Sequence, residues 1–141
     1  MKKVEKRISF TIGEEAKLTR VITSEDIRSF AQLTGDMNPL HIDGDYAKSS
    51  YFRGRIAHGM FISSLISSIL GNELPGHGSI YQSQELKFLA PVRPGDEITA
   101  RVLVQEWNPN KGKITLLTDV VNQDNDLVIT GQAKLVISAF L

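Results

Sequence analysis

The run HGMFISSLISSILGN, residues 58–72, constrains the fold of this chain more than any other segment. As a helix, its residues Met60, Phe61, Ile62, Leu65, Ile66, Ile69 and Leu70 leave almost no polar side, so nearly the whole circumference asks to be covered. Serines at 63, 64, 67 and 68 are its only polar interruptions before the end, and Gly71 with the Pro75-Gly76 turn closes it. The segment is too short to span a bilayer. Its cover has to come from the rest of the chain.

The C-terminal half offers that cover as strands. Ile98, Ala100, Val102 and Val104 alternate with Thr99, Arg101, Leu103 and Gln105, just after the turn residues Pro94-Gly95-Asp96. Turns at 108–112 and 123–126 separate further strands near 113–122 and 127–139. With 79–89 ahead of them they read as a meander, and connections this short imply antiparallel pairing. A segment near 16–22 adds an edge strand. Before the apolar helix, Thr23 and Asp26 form a capping-box pattern, and Ile27, Phe30, Ala31 and Leu33 recur at helical spacing up to Gly35, predicting a helix at 24–34. A further helical turn is expected near 45–50, followed by a loop at Arg53-Gly54-Arg55. The arrangement that satisfies all of this is α+β: a single domain over 1–141, with an antiparallel sheet of about five strands wrapped around a central buried helix and an overhanging helical segment before it. This is the hot-dog architecture. One sheet around one helix leaves an open edge and a partly bare face, so a homodimer is expected.

Composition narrows the function classes. Sixteen basic and sixteen acidic side chains cancel, leaving no global field to hold nucleic acid or an anionic membrane, and neither is expected as a partner. No cysteine is present, which removes disulfides, thiolate nucleophiles and cysteine-bound metals and fits a reducing cytoplasm. The N-terminal MKKVEKRISF has charge but no apolar stretch of signal-peptide length behind it. Walker loops, dinucleotide glycine fingerprints and nucleophile elbows are all missing.

Chemistry concentrates in GDMNPLHID, residues 35–43. On a continuous helix Asp36 and His41 would lie roughly 140° apart. Gly35 can end the helix in the left-handed conformation, while Pro39 lacks an amide hydrogen and pushes Asn38 out of the helical region. The resulting hook can turn carboxylate and imidazole toward one water. At the carbonyl end of a helix, Asp36 is expected to be a better base. The same pattern also serves as a plain turn in which Asp36 satisfies backbone amides. Downstream, Gly59 sits in the first turn of the apolar helix, where amide hydrogens lack helical partners and the absent side chain lets a ligand approach. Such a donor suits a developing oxyanion. Ser63, Ser67 and Leu70 follow on one stripe that can line a pocket, although Ser63, Ser64 and Ser68 also suit close packing against the sheet. His58 is expected to position the turn or cap the helix start, and His77, in its glycine-rich turn, to be exposed. Arg53, Arg55, Lys87 and Arg93 are candidates for phosphate contacts or ordinary surface charge.

Together these segments, F-A-Q-L-T-G-D-M-N-P-L-H (30–41), I-A-H-G-M (56–60), G-S-I-Y (78–81) and V-R-P-G-D-E (92–97), resemble the MaoC-like (R)-specific enoyl-CoA hydratases over almost the whole chain. The resemblance implies Asp36 and His41 as the catalytic pair, Gly59 as oxyanion donor, Ser67 as pocket serine, Leu70 at the acyl end and Asn38 holding the hook. It also implies a dimer with the site near the subunit interface, no metal and no separate cofactor, coenzyme A being part of the substrate. Alternatives within the fold are thioester hydrolysis, dehydration of a 3-hydroxyacyl group on acyl carrier protein, and acyl-thioester binding without turnover. The intact set of Asp36, His41 and Gly59 favours hydration, since a binding module has no need of a water-activating pair.

Overall fold

In the computed structural model, which describes residues 6–141, the apolar run becomes α4 (Gly59–Asn72) and lies against a curved sheet. Ile62, Leu65, Ile66, Ile69 and Leu70 are all buried. Each such side chain contributes on the order of 1.5–3 kcal/mol relative to exposure, so packing rather than helix propensity holds α4 in place. Cover is incomplete, however: Met60 is 61% exposed, and Ser64, Ser67, Ser68 and Gly71 continue a bare stripe of small residues. Ser63 is buried and bonds back to the Met60 carbonyl at 2.9 Å. Ser64 bonds back to Phe61 but faces outward, so burial holds for Ser63 and not for Ser64 or Ser68.

The sheet is assembled from β1 (Glu15–Val21), β2 (Ser79–Phe88), β3 (Glu97–Asn108), β4 (Lys113–Val121) and β5 (Leu127–Ile137), and a 3₁₀ turn follows at Ser138–Phe140. All its pairings are antiparallel. Along β3 the alternation in the sequence is the alternation in space, with Ile98, Ala100, Val102 and Val104 buried. The spatial order is β1-β3-β4-β5-β2. Hairpins join β3, β4 and β5 as expected, but β2 corrects the simple meander: it pairs with β5 at the far edge. The cause is its connection to β3, residues 89–96, which is too long for a tight hairpin and is itself stitched to the body through Leu89 N–Val128 O (2.8 Å) and Ala57 N–Val92 O (2.7 Å).

Ahead of α4 stand α1 (Ser24–Thr34), α2 (Pro39–Ile42) and α3 (Gly44–Lys48). The capping box of α1 is formed in both directions, Asp26 N to Thr23 Oγ1 at 3.0 Å and Thr23 N to Asp26 Oδ2 at 3.1 Å. Gly35 ends α1 with φ +79°, a left-handed position that glycine adopts freely. No helix among the described residues is long and apolar enough to cross a membrane. The first five residues of the charged N-terminal stretch lie outside the described residues.

Candidate active site

The hook is a ladder of short-range contacts rather than an open loop. Thr34 Oγ1 donates to the Phe30 carbonyl at 2.8 Å and accepts from Asp36 N at 3.2 Å. Asp36 Oδ1 accepts from Asn38 N at 3.4 Å, and Asn38 Oδ1 accepts from Leu40 N at 3.0 Å. Asn38 thereby caps α2, and Pro39 occupies the first turn, where its missing N–H costs nothing. The bend is thus completed by a one-turn helix that carries His41 on its inner side.

Asp36 is exposed and His41 is buried, at 8% exposure. Nδ1 of His41 lies 2.8 Å from the Ile56 carbonyl oxygen. A carbonyl can only accept, so Nδ1 carries the proton and the neutral ring keeps its lone pair at Nε2. Burial holds the His41 imidazole below its ordinary value; the Ile56 carbonyl opposes that shift, His58 reinforces it, and the Asp36 carboxylate opposes it again. The imidazole is therefore kept unprotonated near neutrality.

A carboxylate oxygen of Asp36 and one ring nitrogen each of His41 and His58 lie within 4.8 Å of one another, close enough to hold one water. The same three groups raise the question of a metal ion. The two imidazoles are stacked, with centroids 3.8 Å apart and planes 28° from parallel. In-plane lone pairs on stacked rings do not converge on one ion at the ~2.1 Å that nitrogen ligation needs. The remaining ring nitrogens are bonded to backbone, His41 Nδ1 to the Ile56 carbonyl and His58 Nε2 to the Asp36 carbonyl, 3.0 Å away.

Gly59 opens α4, and its amide lies in the turn that has no helical acceptor. It lines a cleft of about 480 Å³ together with Tyr51, Phe52, Ile56, Met60 and Phe88. A methyl group at Gly59 would fall 2.6 Å from two carbons of the Phe88 ring, so the missing side chain lets that ring pack directly on the start of α4. Asp36 and His41 do not line the cleft themselves. They join it through Ile56, which forms part of the wall and bonds His41.

The remaining sequence candidates divide. Ser67 lies in a second cleft of about 410 Å³, between the bare stripe of α4 and β2, with Ser63, Ser64, Tyr81 and Gln84. Met60 lines both clefts. Leu70 is 1% exposed, belongs to the core and lines neither cleft, so the stripe drawn from Gly59 through Ser67 to Leu70 does not bound one cavity. Arg55 holds backbone: its Nε donates to the His41 carbonyl at 2.7 Å and a terminal nitrogen to Ser24 Oγ at 2.7 Å. Arg93 likewise donates to the Phe52 carbonyl at 2.6 Å. Arg53 and Lys87 are exposed, as is His77. His58 makes no side-chain capping bond, which corrects its expected role as a helix cap. The Ile56 carbonyl, the Phe88 ring on Gly59 and the histidine stack have no local signal in the sequence. All three depend on contacts distant in sequence, and only the adjacency of His58 to Gly59 hinted at one.

Comparison with known proteins decides the family. The MaoC-like domain model matches residues 7–125, most of the chain. The chain belongs to the MaoC-like family. Among MaoC-like relatives, it is 44% identical over 127 residues to the (R)-specific enoyl-CoA hydratase of Rhodospirillum rubrum, covering 90% of this chain and 88% of that one. It is 42% identical over 125 residues to the enzyme of the same description from Aeromonas caviae, covering 89% and 93%. The solved structure of the (R)-hydratase from A. caviae involved in PHA biosynthesis superposes with a TM-score of 0.88 at 40% identity, covering 92% of this chain and 98% of that one. The α+β hot-dog assignment is thus the fold of this MaoC-like chain.

Proposed function

We propose that this MaoC-like protein catalyses the reversible hydration of trans-2-enoyl-CoA to (R)-3-hydroxyacyl-CoA, with Asp36 and His41 activating the water. One observation carries the reading: His41 is pinned through Nδ1–H to the Ile56 carbonyl, which leaves the lone pair on Nε2, and a nitrogen of this ring lies within 4.8 Å of a carboxylate oxygen of Asp36. The names of the relatives supply the substrate class and the stereochemistry. As the water oxygen bonds to C3, its proton passes to the pair, and the electron pair of the double bond moves toward the thioester oxygen. The pair returns a proton to C2, so water is added and no residue ends changed. The Gly59 amide, at the positive end of α4, would stabilise the enolate-like oxygen. This chemistry uses no metal or separate cofactor, coenzyme A being part of the substrate. Ser67 is assigned to the pocket and Asn38 to holding the hook, while Leu70 would bear on the acyl end only from within the core.

The protein is proposed to act as a homodimer in the cytoplasm. Support comes from β2, which has a partner on one side only, with Ile80 and Tyr81 41–43% exposed beside the bare stripe of α4. An open edge of this length invites pairing with a second copy. Purified protein and crotonyl-CoA provide the test: loss of enoyl-thioester absorbance, with chiral analysis giving the R product, is expected. Coenzyme A binding without absorbance loss would overturn turnover on this carrier, and S product would overturn the stereochemistry.

A further inference from the structure

His58 is 2% exposed and stands at the start of α4, yet its side chain caps none of the helix amides. Its Nε2 lies 3.0 Å from the carbonyl oxygen of Asp36, so that nitrogen donates. One face of the ring lies against His41 at 3.8 Å, and the ring of Phe30 in α1 lies 4.8 Å away at 57°. Nδ1 of His58 is buried and meets no hydrogen-bond partner. A buried polar atom without a partner carries a desolvation penalty, which a phenylalanine or leucine at this position would avoid. The position therefore demands something an apolar side chain cannot give.

What only this residue supplies is two contacts on the two members of the pair. Its N–H holds the backbone of the residue that bears the carboxylate, and its flat face braces the ring that bears the lone pair. Among the described residues, no other side chain hydrogen-bonds the Asp36 carbonyl. We propose that His58 is the positioning residue of the dyad, clamping the Asp36 backbone through Nε2–H while its ring sets the plane in which His41 presents Nε2 to the water. This rests on the hydratase reading of Asp36 and His41 and deepens it. The titratable groups facing His41 are His58 from the start of α4 and Asp36 from the hook. Arg55 donates to the His41 backbone carbonyl, and Ile56 contributes its carbonyl.

Two replacements separate the contacts. In His58→Phe the stacked ring stays and the donor is lost; in His58→Gln a side-chain N–H remains to reach the carbonyl and the ring is lost. Misplacement of reacting groups by about 1 Å is worth roughly 100-fold in rate. His58→Phe is accordingly expected to lower kcat for crotonyl-CoA roughly 100-fold with KM little changed, and His58→Gln to recover part of that loss. Folded variants with wild-type kcat and KM would overturn the proposal. Should either variant fail to fold, long-range proton–nitrogen correlation spectra of the wild-type protein decide instead: the Nε2–H tautomer of His58 is expected, and the Nδ1–H tautomer overturns the clamp. An inactive wild-type protein with the Nε2–H tautomer would count against the hydratase reading alone, since the clamp is read from the spectrum without any turnover.

Discussion

Gly59→Ala separates the stability of α4 from the approach to its first amide. The added methyl would lie 2.6 Å from Cδ1 and Cε1 of Phe88. Carbon atoms rest at about 3.5–4.0 Å, so the ring has to retreat by roughly 1 Å. Phe88 is 52% exposed and can swing outward, at a cost of about 1 kcal/mol for leaving its preferred rotamer. Replacing glycine by alanine in a helix returns up to about 1 kcal/mol, so the two effects nearly cancel and Tm should move by no more than about 5 °C. Catalysis has no such compensation. A methyl group over the amide keeps the thioester oxygen at a distance, and loss of one oxyanion donor costs about 100-fold in kcat, or about 2.7 kcal/mol. Initial rates with crotonyl-CoA, read beside a thermal melt, test the pair of numbers. A folded variant with wild-type kcat/KM would remove Gly59 from the oxyanion role. A melt lowered by far more than about 5 °C would refute the freedom assigned to the Phe88 ring.

Other expectations follow from the same geometry. Asp36→Asn and His41→Ala should each lower kcat by about 10²–10⁴ while leaving the circular dichroism spectrum and sedimentation unchanged; retention of most activity in either would reassign the base. The acidic limb of kcat/KM should fall below pH 6.5, because burial lowers His41 from that value; a limb at or above it would mean the site is wetter than its 8% exposure implies. Stability carries the matching sign. With the folded value depressed, the unfolded chain takes up the proton first as pH falls below 6.5, so stability should decline through that window, and urea midpoints of His41→Ala should show a shallower decline. Gly131→Ala would drive a methyl into the backbone oxygen of Glu85 on the neighbouring β2 strand, a group that cannot rotate aside. It should cost about 3 kcal/mol or more and lower Tm by about 10 °C, and a near-normal melt would show that the β2 edge yields easily.

The elements read correctly in advance were those whose signal is carried by one residue type repeated at one period. The apolar circumference of 60–70 announced a covered helix, and the alternation from Ile98 to Val104 announced a strand with one face inward. β2 was read as a strand at 79–89, but its place in the sheet carried no such signal. Its residues are largely exposed, so neither face is marked and nothing in its own pattern told that it would leave β3 and pair with β5. In the site, Gly35, Asn38 and Pro39 each act on their own neighbours, and the hook was therefore legible. The partners of His41 and His58 lie 15 and 22 residues away, and no local pattern encodes them. The exposed stripe of α4 was hidden for a related reason: alternating serines soften the helix surface without saying which side the sheet takes.

The ladder through Phe30, Thr34, Asp36, Asn38 and Leu40 spans contacts no more than four residues long. The ties that anchor it come from Arg55, Ile56 and His58, neighbours in one short segment. The proposed acid–base pair accordingly sits on a cassette fastened at a single seam, while both clefts draw most of their walls from elsewhere in the chain. Selection can recast those walls for longer or bulkier acyl groups without disturbing the chemistry, provided the seam at 55–58 keeps its register.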